Sequence, residues 1–146
     1  SNFARGIKKN GAIAFCCWQG LSHNEWFEIP LKVGLRHCPD VETNDPNTPG
    51  PLAFKDKDRV NNILVESGFD NVTMQDHTSQ LILGPTPILA AKYLLEFGPL
   101  NRLLSYASES VKQLVKIELE RELGNFISNS GVQLNCSIWI VAAEKK

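Results

Sequence analysis

The sequence has little net charge and no long apolar run. Its 146 residues include 15 lysines and arginines against 16 aspartates and glutamates, which leaves a formal charge of −1. This balance gives no electrostatic basis for binding nucleic acid or an anionic membrane surface. No apolar run reaches the roughly 20 residues of a membrane span, and the start, SNFARGIKKN, lacks the apolar core of a signal peptide. We therefore predict a cytoplasmic protein that binds neither nucleic acid nor membrane.

The sequence also lacks the cysteine spacing of a zinc module. Its four cysteines, Cys16, Cys17, Cys38 and Cys136, form no C-x-x-C pair. Neighbouring residues of a strand point to opposite faces, so Cys16 and Cys17 are poorly placed to share a disulfide or a metal ion. His37 and Cys38 could join Cys16 at a zinc ion, but we prefer buried free thiols and predict no metal site.

Three segments have the composition of β-strands. AIAFCCW, at Ala12–Trp18, is apolar throughout, which predicts a strand covered on both faces as in a parallel α/β sheet. Residues 71–83 mostly alternate between apolar and polar side chains, with an irregularity predicted near Thr78 and Ser79. Residues 132–143 alternate and then become apolar in IWIVAA, which predicts a long strand whose second half is buried on both faces. The hydrophobic content of 42% is enough for the core of one domain.

Apolar residues at helical spacing predict helices between and around these strands. The predicted helices cover residues 1–9, 24–36, 56–67, 86–98, 100–107 and 109–127. Asp56 and Thr86 are predicted N-caps, and Gly68 suits a left-handed helix end. The second helix is predicted to break or begin at Pro30. Residues 39–51 contain four prolines and are predicted to form a surface loop.

Three separated blocks of the sequence resemble segments of one protein family, and they occur in the same order as in that family. They are GIKKNGAIAFCCWQGLSHNEWFEIPL, PGPLAFKDKDRVNNILVESGFDNV and SIWIVAAEKK. They resemble the second half of class I S-adenosylmethionine-dependent methyltransferases of the ubiquinone-biosynthesis-type group. In that family a basic turn introduces a hydrophobic strand ending in a Cys-Trp pair, here Cys17 and Trp18, and a loop with Asn and Trp follows, here Asn24 and Trp26.

The resemblance implies an α/β, Rossmann-like fold. The family has a seven-stranded sheet whose last strand inserts antiparallel between the fifth and the sixth. Residues 1–146 would be the C-terminal portion of a single methyltransferase domain and would supply strands five to seven only. Residues 85–127 would form a helical insertion that acts as a lid. The expected strand order places residues 132–143 between Ala12–Trp18 and residues 71–83, with the helices at 56–67 and 109–127 covering the sheet.

The resemblance also implies a function and one cofactor. The family transfers a methyl group from S-adenosylmethionine to an acceptor, here an unidentified small molecule, and holds the donor on a glycine-rich turn. None of the ten glycines of this sequence forms a G-x-G pattern. We therefore expect the cofactor-binding half to be absent, no cofactor to bind, and the isolated chain to be inactive. The alternative is a non-enzymatic binding or assembly module built on a truncated methyltransferase fold.

Candidate site residues follow the strand Ala12–Trp18, because open α/β sheets bind ligands at the carboxyl ends of their strands. The candidates for a substrate pocket are Trp18, Gln19, His23, Asn24, Trp26 and Phe27. Trp18, Trp26 and Phe27 could equally have only a packing role in the loop. Asp76 and His77 are adjacent on a predicted strand; they could act as a pair in catalysis, but they most simply face solvent.

Two further hypotheses concern the same strand. A Cys-His hydrolase could use Cys16 or Cys17 with His23 or His37, although an apolar run is a poor setting for a nucleophile. The strand is also expected to be a bare sheet edge with bare apolar faces, because the resemblance implies a fourth strand beside it and helices over it that are absent here. We therefore predict a homodimer through Ala12–Trp18, with Phe15 and Cys17 near the two-fold axis.

Overall fold

The computed structural model describes residues 2–39 and 50–146, so most of the predicted loop at 39–51 lies outside the described residues. The helices are α1 (Asn2–Gly6), α2 (Glu25–His37), α3 (Lys57–Glu66), α4 (Pro87–Glu96), α5 (Pro99–Leu103) and α6 (Glu109–Leu123), with 3₁₀ turns at Leu21–His23 and Gly124–Phe126. The strands are β1 (Ala12–Trp18), β2 (Phe69–Gly84), β3 (Ile127–Ser128) and β4 (Gly131–Lys145).

The strands form one open α/β sheet in the order β1-β4-β2, with the short β3 paired to the start of β4. β1 pairs antiparallel with β4, so that Phe15 lies opposite Val141 and Cys17 lies opposite Trp139. The last strand of the chain is therefore the central one. This confirms the strand order that the sequence analysis predicted.

Contacts divide the described chain into two compact units, the first formed by residues 2–20, 50–78 and 137–146. Its core lies on one face of the strands, where Val60 and Leu64 of α3 pack with Phe69, Val141 and Ala143. Partly buried apolar side chains of α1 and β1 also pack against this cluster. The predicted cover by α3 is confirmed.

Among the described residues, nothing covers much of the opposite face of the first unit. Ala12, Ala14 and Cys16 are exposed, and Ile140, which lies opposite Cys16 on β4, is 38% exposed. The burial on both faces that the apolar pattern of β1 and the second half of β4 predicts is therefore wrong, whereas the exposed residues agree with the expectation that an apolar face of β1 is bare. The reason is that the described apolar side chains Ala4 of α1 and Val60 and Leu64 of α3 pack in the cluster on the other face.

The second unit comprises residues 21–39 and 79–136 of the described chain. Its core joins the helices α2, α4, α5 and α6 to the first part of β4. In α6 the buried residues are Val115, Leu119 and Leu123, at the predicted spacing of four, and they pack in one cluster with Val132 and Leu134. The predicted helical cover of β4 is confirmed here too.

Several predicted helix and strand boundaries are wrong. α2 runs through Pro30 without a break, because Pro30 is buried among the apolar residues that fix this helix in the core. α1 ends at Gly6, and the following residues turn through Asn10, whose φ is 61°, into β1. β2 continues through Thr78 and Ser79, and its residue with positive φ is Asn71. α6 ends at Leu123, and the residues predicted as its last turn form the 3₁₀ turn Gly124–Phe126 and the first residue of β3.

Candidate functional site

The six predicted site residues fall into the two units, and each group is described within its own unit. Trp18 and Gln19 belong to the first unit, at the carboxyl end of β1. The other four candidates, from the 3₁₀ turn at Leu21–His23 to the first turn of α2, belong to the second.

Gln19 anchors a row of polar groups across the first unit. Its side chain is almost completely buried, at 3% exposure. The side-chain Nε2 donates to the backbone oxygen of Ile138, at 3.1 Å, and to Oδ1 of Asp76 on β2. The backbone nitrogen of Gln19 donates to the oxygen of Ser137, at 3.0 Å, and the Ser137 hydroxyl lies 3.0 Å from that of Thr78. Polar groups of three strands are thus hydrogen-bonded where β1 ends.

Asp76 is the charged member of this polar row. It is exposed to solvent, whereas the Gln19 amide that holds one of its oxygens is buried. A carboxylate fixed in this way can accept a hydrogen bond or a proton from a hydroxyl or amine of a bound molecule. The prediction that Asp76 faces solvent is confirmed, but the sequence did not indicate its contact with Gln19. The sequence shows a carboxylate within a strand. Its hydrogen-bond partner, Gln19, can be identified only from the register of the strands.

The second group of candidates builds the start of α2. Asn24 is fully buried, and its Oδ1 accepts a hydrogen bond from Nε1 of Trp26 at 3.2 Å. Its backbone oxygen accepts from the nitrogens of Phe27 and Glu28, both at 2.9 Å. The rings of Trp26 and Phe27 lie 4.0 Å apart between centroids, and Phe27 is only 3% exposed. These contacts fit a structural role in fixing the helix.

His23 differs from these neighbours because it is exposed. Its Nδ1 lies 3.3 Å from the hydroxyl of Ser22, the residue before it. A role of His23 or of the other five candidates in substrate binding stays a prediction.

The pKa shifts of Cys17 and Cys136 are opposite to the shift that a nucleophilic thiol needs. Burial, and then the neighbouring Cys16, raise the pKa of Cys17, whose thiol donates to the backbone oxygen of Phe54 at 3.5 Å. A reactive thiol needs a lowered pKa. Burial also raises the pKa of Cys136. Cys136 is buried, Cys17 and Cys38 are half-buried and Cys16 is exposed, so the prediction that the cysteines are buried holds fully only for Cys136 and is wrong at Cys16.

His37, the other histidine proposed for a hydrolase, binds a carboxylate. Its Nε2 lies 2.6 Å from Oε2 of Glu118 on α6, and Arg36 donates to Oε1 of the same carboxylate. Within residues 2–39 and 50–146, no group of three or more His, Cys, Asp or Glu side chains is arranged to hold a metal ion. In the same residues, no helix is long and apolar enough to cross a membrane.

Neither a protein-family model nor a curated protein sequence matches this chain.

Proposed function

We propose that the chain is the C-terminal, substrate-side part of an S-adenosylmethionine-dependent methyltransferase. The observation that carries the proposal is the position of β4, which is last in sequence, central in the sheet and antiparallel to β1. Consecutive strands usually lie side by side, so a final strand inserted between two earlier ones is a specific topology. The sequence resemblance implies the same topology, in which β1, β4 and β2 correspond to strands five, seven and six of the family.

The polar row at the end of β1 gives this proposal a location for the methyl acceptor. In open α/β sheets, ligands bind outside the carboxyl ends of the strands. Asp76, held by the buried Gln19, is available there to accept a hydrogen bond from an acceptor hydroxyl or amine. In a methyl transfer the acceptor atom loses a proton, and a positioned carboxylate is a suitable base for it.

The coding DNA upstream of the Ser1 codon provides the direct test. We expect an in-frame region that encodes a strand, a glycine-rich turn and a helix, because a donor site of this family requires that sequence. An upstream reading frame that encodes no such unit would contradict the proposal.

A binding or assembly module is the second candidate function. The open face of the first unit favours it, because Ala12, Ala14 and Cys16 are exposed on β1 beside the partly exposed Ile140. Exposed apolar surface that is contiguous commonly marks a protein-protein interface. The upstream coding DNA distinguishes the two candidates, because the methyltransferase proposal requires a glycine-rich donor unit there and the module does not.

A further inference from the structure

Trp139 of β4 holds a positively charged group over its ring. The side chain of Trp139 is half-buried, and Nζ of Lys57 lies 4.1 Å from the ring centroid. The face of a tryptophan ring attracts cations because its electrostatic potential is negative. The indole Nε1 donates to the backbone oxygen of Lys55 at 2.9 Å, which fixes the orientation of the ring. The first unit therefore has a cation-binding face of fixed orientation.

Lys57 is a replaceable occupant of this face. It is the first residue of α3, and the dipole of a helix disfavours a positive charge at that end. Lys57 is exposed to solvent, and a long side chain loses conformational freedom when it is held over a ring. A cation–π contact at an exposed site is weak. Another cation can therefore displace the Lys57 ammonium into solvent at little cost.

Asp76 of β2 places a carboxylate beside the same ring. Two side-chain hydrogen bonds between β2 and β4 show the register of these strands: Thr78 with Ser137, and Asn71 with Glu144. Residues 71 to 78 of β2 thus match residues 144 to 137 of β4 position by position, so Asp76 lies opposite Trp139. Side chains directly opposite each other in an antiparallel pair are in contact distance, with Cβ atoms about 4.5–5.5 Å apart.

An aromatic face and a carboxylate together favour an organic cation over a metal ion. Hard metal ions take six or more oxygen ligands, and the described part of the chain holds no group of three or more His, Cys, Asp or Glu side chains arranged for a metal. Organic ammonium groups, in contrast, are recognised by aromatic faces. The buried amide of Gln19 holds the carboxylate of Asp76 while Asp76 stays open to solvent.

From this arrangement we propose that Trp139 and Asp76 bind an organic ammonium cation in the place that the Lys57 ammonium occupies. The ring face contacts the alkyl groups around the charged nitrogen, and the carboxylate lies beside them. A neutral molecule of the same shape lacks both attractions, and an anion is repelled by Asp76. The inference rests on the proposed function in one respect, since the cation would belong to the methyl acceptor and identify it as an amine.

Choline is a suitable probe, and the test is a titration of the whole chain at constant ionic strength, followed by the indole N–H resonances of the tryptophans. We expect a saturable shift of the Trp139 resonance with a Kd on the order of 10 mM, because the two contacts are individually weak. Trp18 and Trp26 are internal controls and should not shift, since Trp18 lies opposite Ile138 on the other face of the sheet and Trp26 belongs to the second unit.

Variants separate the two attractions. Asp76→Asn should weaken choline binding about threefold, the size of an exposed charge pair. Asp70→Asn makes the same change six positions away on β2 and should leave the affinity unchanged. Lys57→Gln should strengthen binding about threefold, because the competing ammonium is removed, whereas Lys32→Gln in the second unit should have no effect.

The neutral compound 3,3-dimethylbutan-1-ol has the shape of choline without the charge and should not give saturable shifts at the same concentrations. Equal binding of this compound, equal affinities of D76N and D70N, unchanged or weaker binding by K57Q, or no saturable shift of Trp139 would each overturn the inference. None of these results bears on the upstream coding DNA, so a failure here is distinguishable from a failure of the methyltransferase proposal. Circular dichroism of each variant establishes that the fold is intact before affinities are compared.

Discussion

Gly131 begins β4 in a conformation that favours glycine. Its φ is +110°, a region that side chains with a Cβ rarely adopt. A Cβ at this position would lie 2.4 Å from the backbone oxygen of Gly84, which is too close for any contact between these atoms. The absence of a side chain therefore allows the end of β2 to approach the start of β4.

Gly131→Ala should destabilise the protein by about 3 kcal/mol, because backbone strain and overpacking each cost about 1–3 kcal/mol. Gly124→Ala is the matched control. Gly124 has a helical conformation, with φ at −57°, and no atom lies within 4 Å of a Cβ built there. This control should be neutral or stabilising by up to about 1 kcal/mol. Urea unfolding measures both, and an unchanged midpoint for G131A would contradict the expected strain.

Two helices of the second unit are joined by a cluster of charged side chains. Glu118 of α6 binds His37 and Arg36 of α2, and Arg36 also lies 3.3 Å from Glu122. The hydrogen bond from His37 and the neighbouring Arg36 lower the pKa of Glu118. Because the pKa is lower in the folded state, the charged carboxylate stabilises folding above its ordinary pKa of 4.5. This contribution is lost as the pH falls through the lowered pKa of the folded state.

Glu118→Gln should therefore lower the urea midpoint at neutral pH. It should also flatten the fall in stability that accompanies acidification below 4.5. Glu96→Gln serves as the control, since Glu96 is 55% exposed and lies 4.0 Å from Lys92. Unfolding curves at a series of pH values compare the variants. Parallel pH profiles for E118Q and the unmodified chain would contradict the assignment.

Helix ends governed by nearby residues could be predicted from the sequence. Asp56 accepts a hydrogen bond from the backbone nitrogen of Arg59 at 3.0 Å, and Gly68 has a φ of +84°, both as predicted for α3. Thr86 caps α4 through the nitrogen of Leu89 in the same way. These features depend on residues within a few positions of each other, so a local pattern contains the necessary information.

Features that depend on distant contacts could not be predicted. Pro30 was expected to interrupt α2, but tertiary packing outweighs the hydrogen bond that a helical proline loses. The apolar run of β1 predicted burial on both faces, although the described helices of the first unit cover one face only. Gln19 and Asp76 are 57 positions apart in sequence, and their hydrogen bond required knowledge of the strand register.

At the scale of the whole molecule, the methyltransferase proposal predicts no donor binding by this chain alone. The methionine and ribose parts of S-adenosylmethionine are charged or polar and require a preformed polar turn, and the sequence has no G-x-G pattern to provide it. Titration calorimetry should show no saturable heat, whereas a complete class I methyltransferase titrated in parallel should show it. Saturable binding by this chain would contradict the prediction.

The sheet has two edges, and they differ in how well they are protected. β2 contains Asp70 and Asp76 and has a positive φ at Asn71, and charges and irregularities of this kind discourage pairing with another chain. β1 contains no charged residue in AIAFCCW. We infer that β1 pairs with β1 of a second copy about a two-fold axis, because an uncharged strand opposes no like charges when it pairs with itself.

The variant Ala14→Lys tests this homodimer. Ala14 is exposed on the open face, so a lysine there adds charge to the edge without disturbing the core. Phe15→Lys is less suitable, since Phe15 packs against the core cluster and lies 6.3 Å from the ring of Phe54. Sedimentation equilibrium should give a dimer for the unmodified chain, a folded monomer for A14K, and a dimer for the control Gln75→Lys on the exposed side of β2. In A14K, one lysine on each copy would bring two like charges into the paired strands and oppose pairing. An A14K variant that remains dimeric, or an unmodified chain that is monomeric, would therefore exclude β1 as the interface.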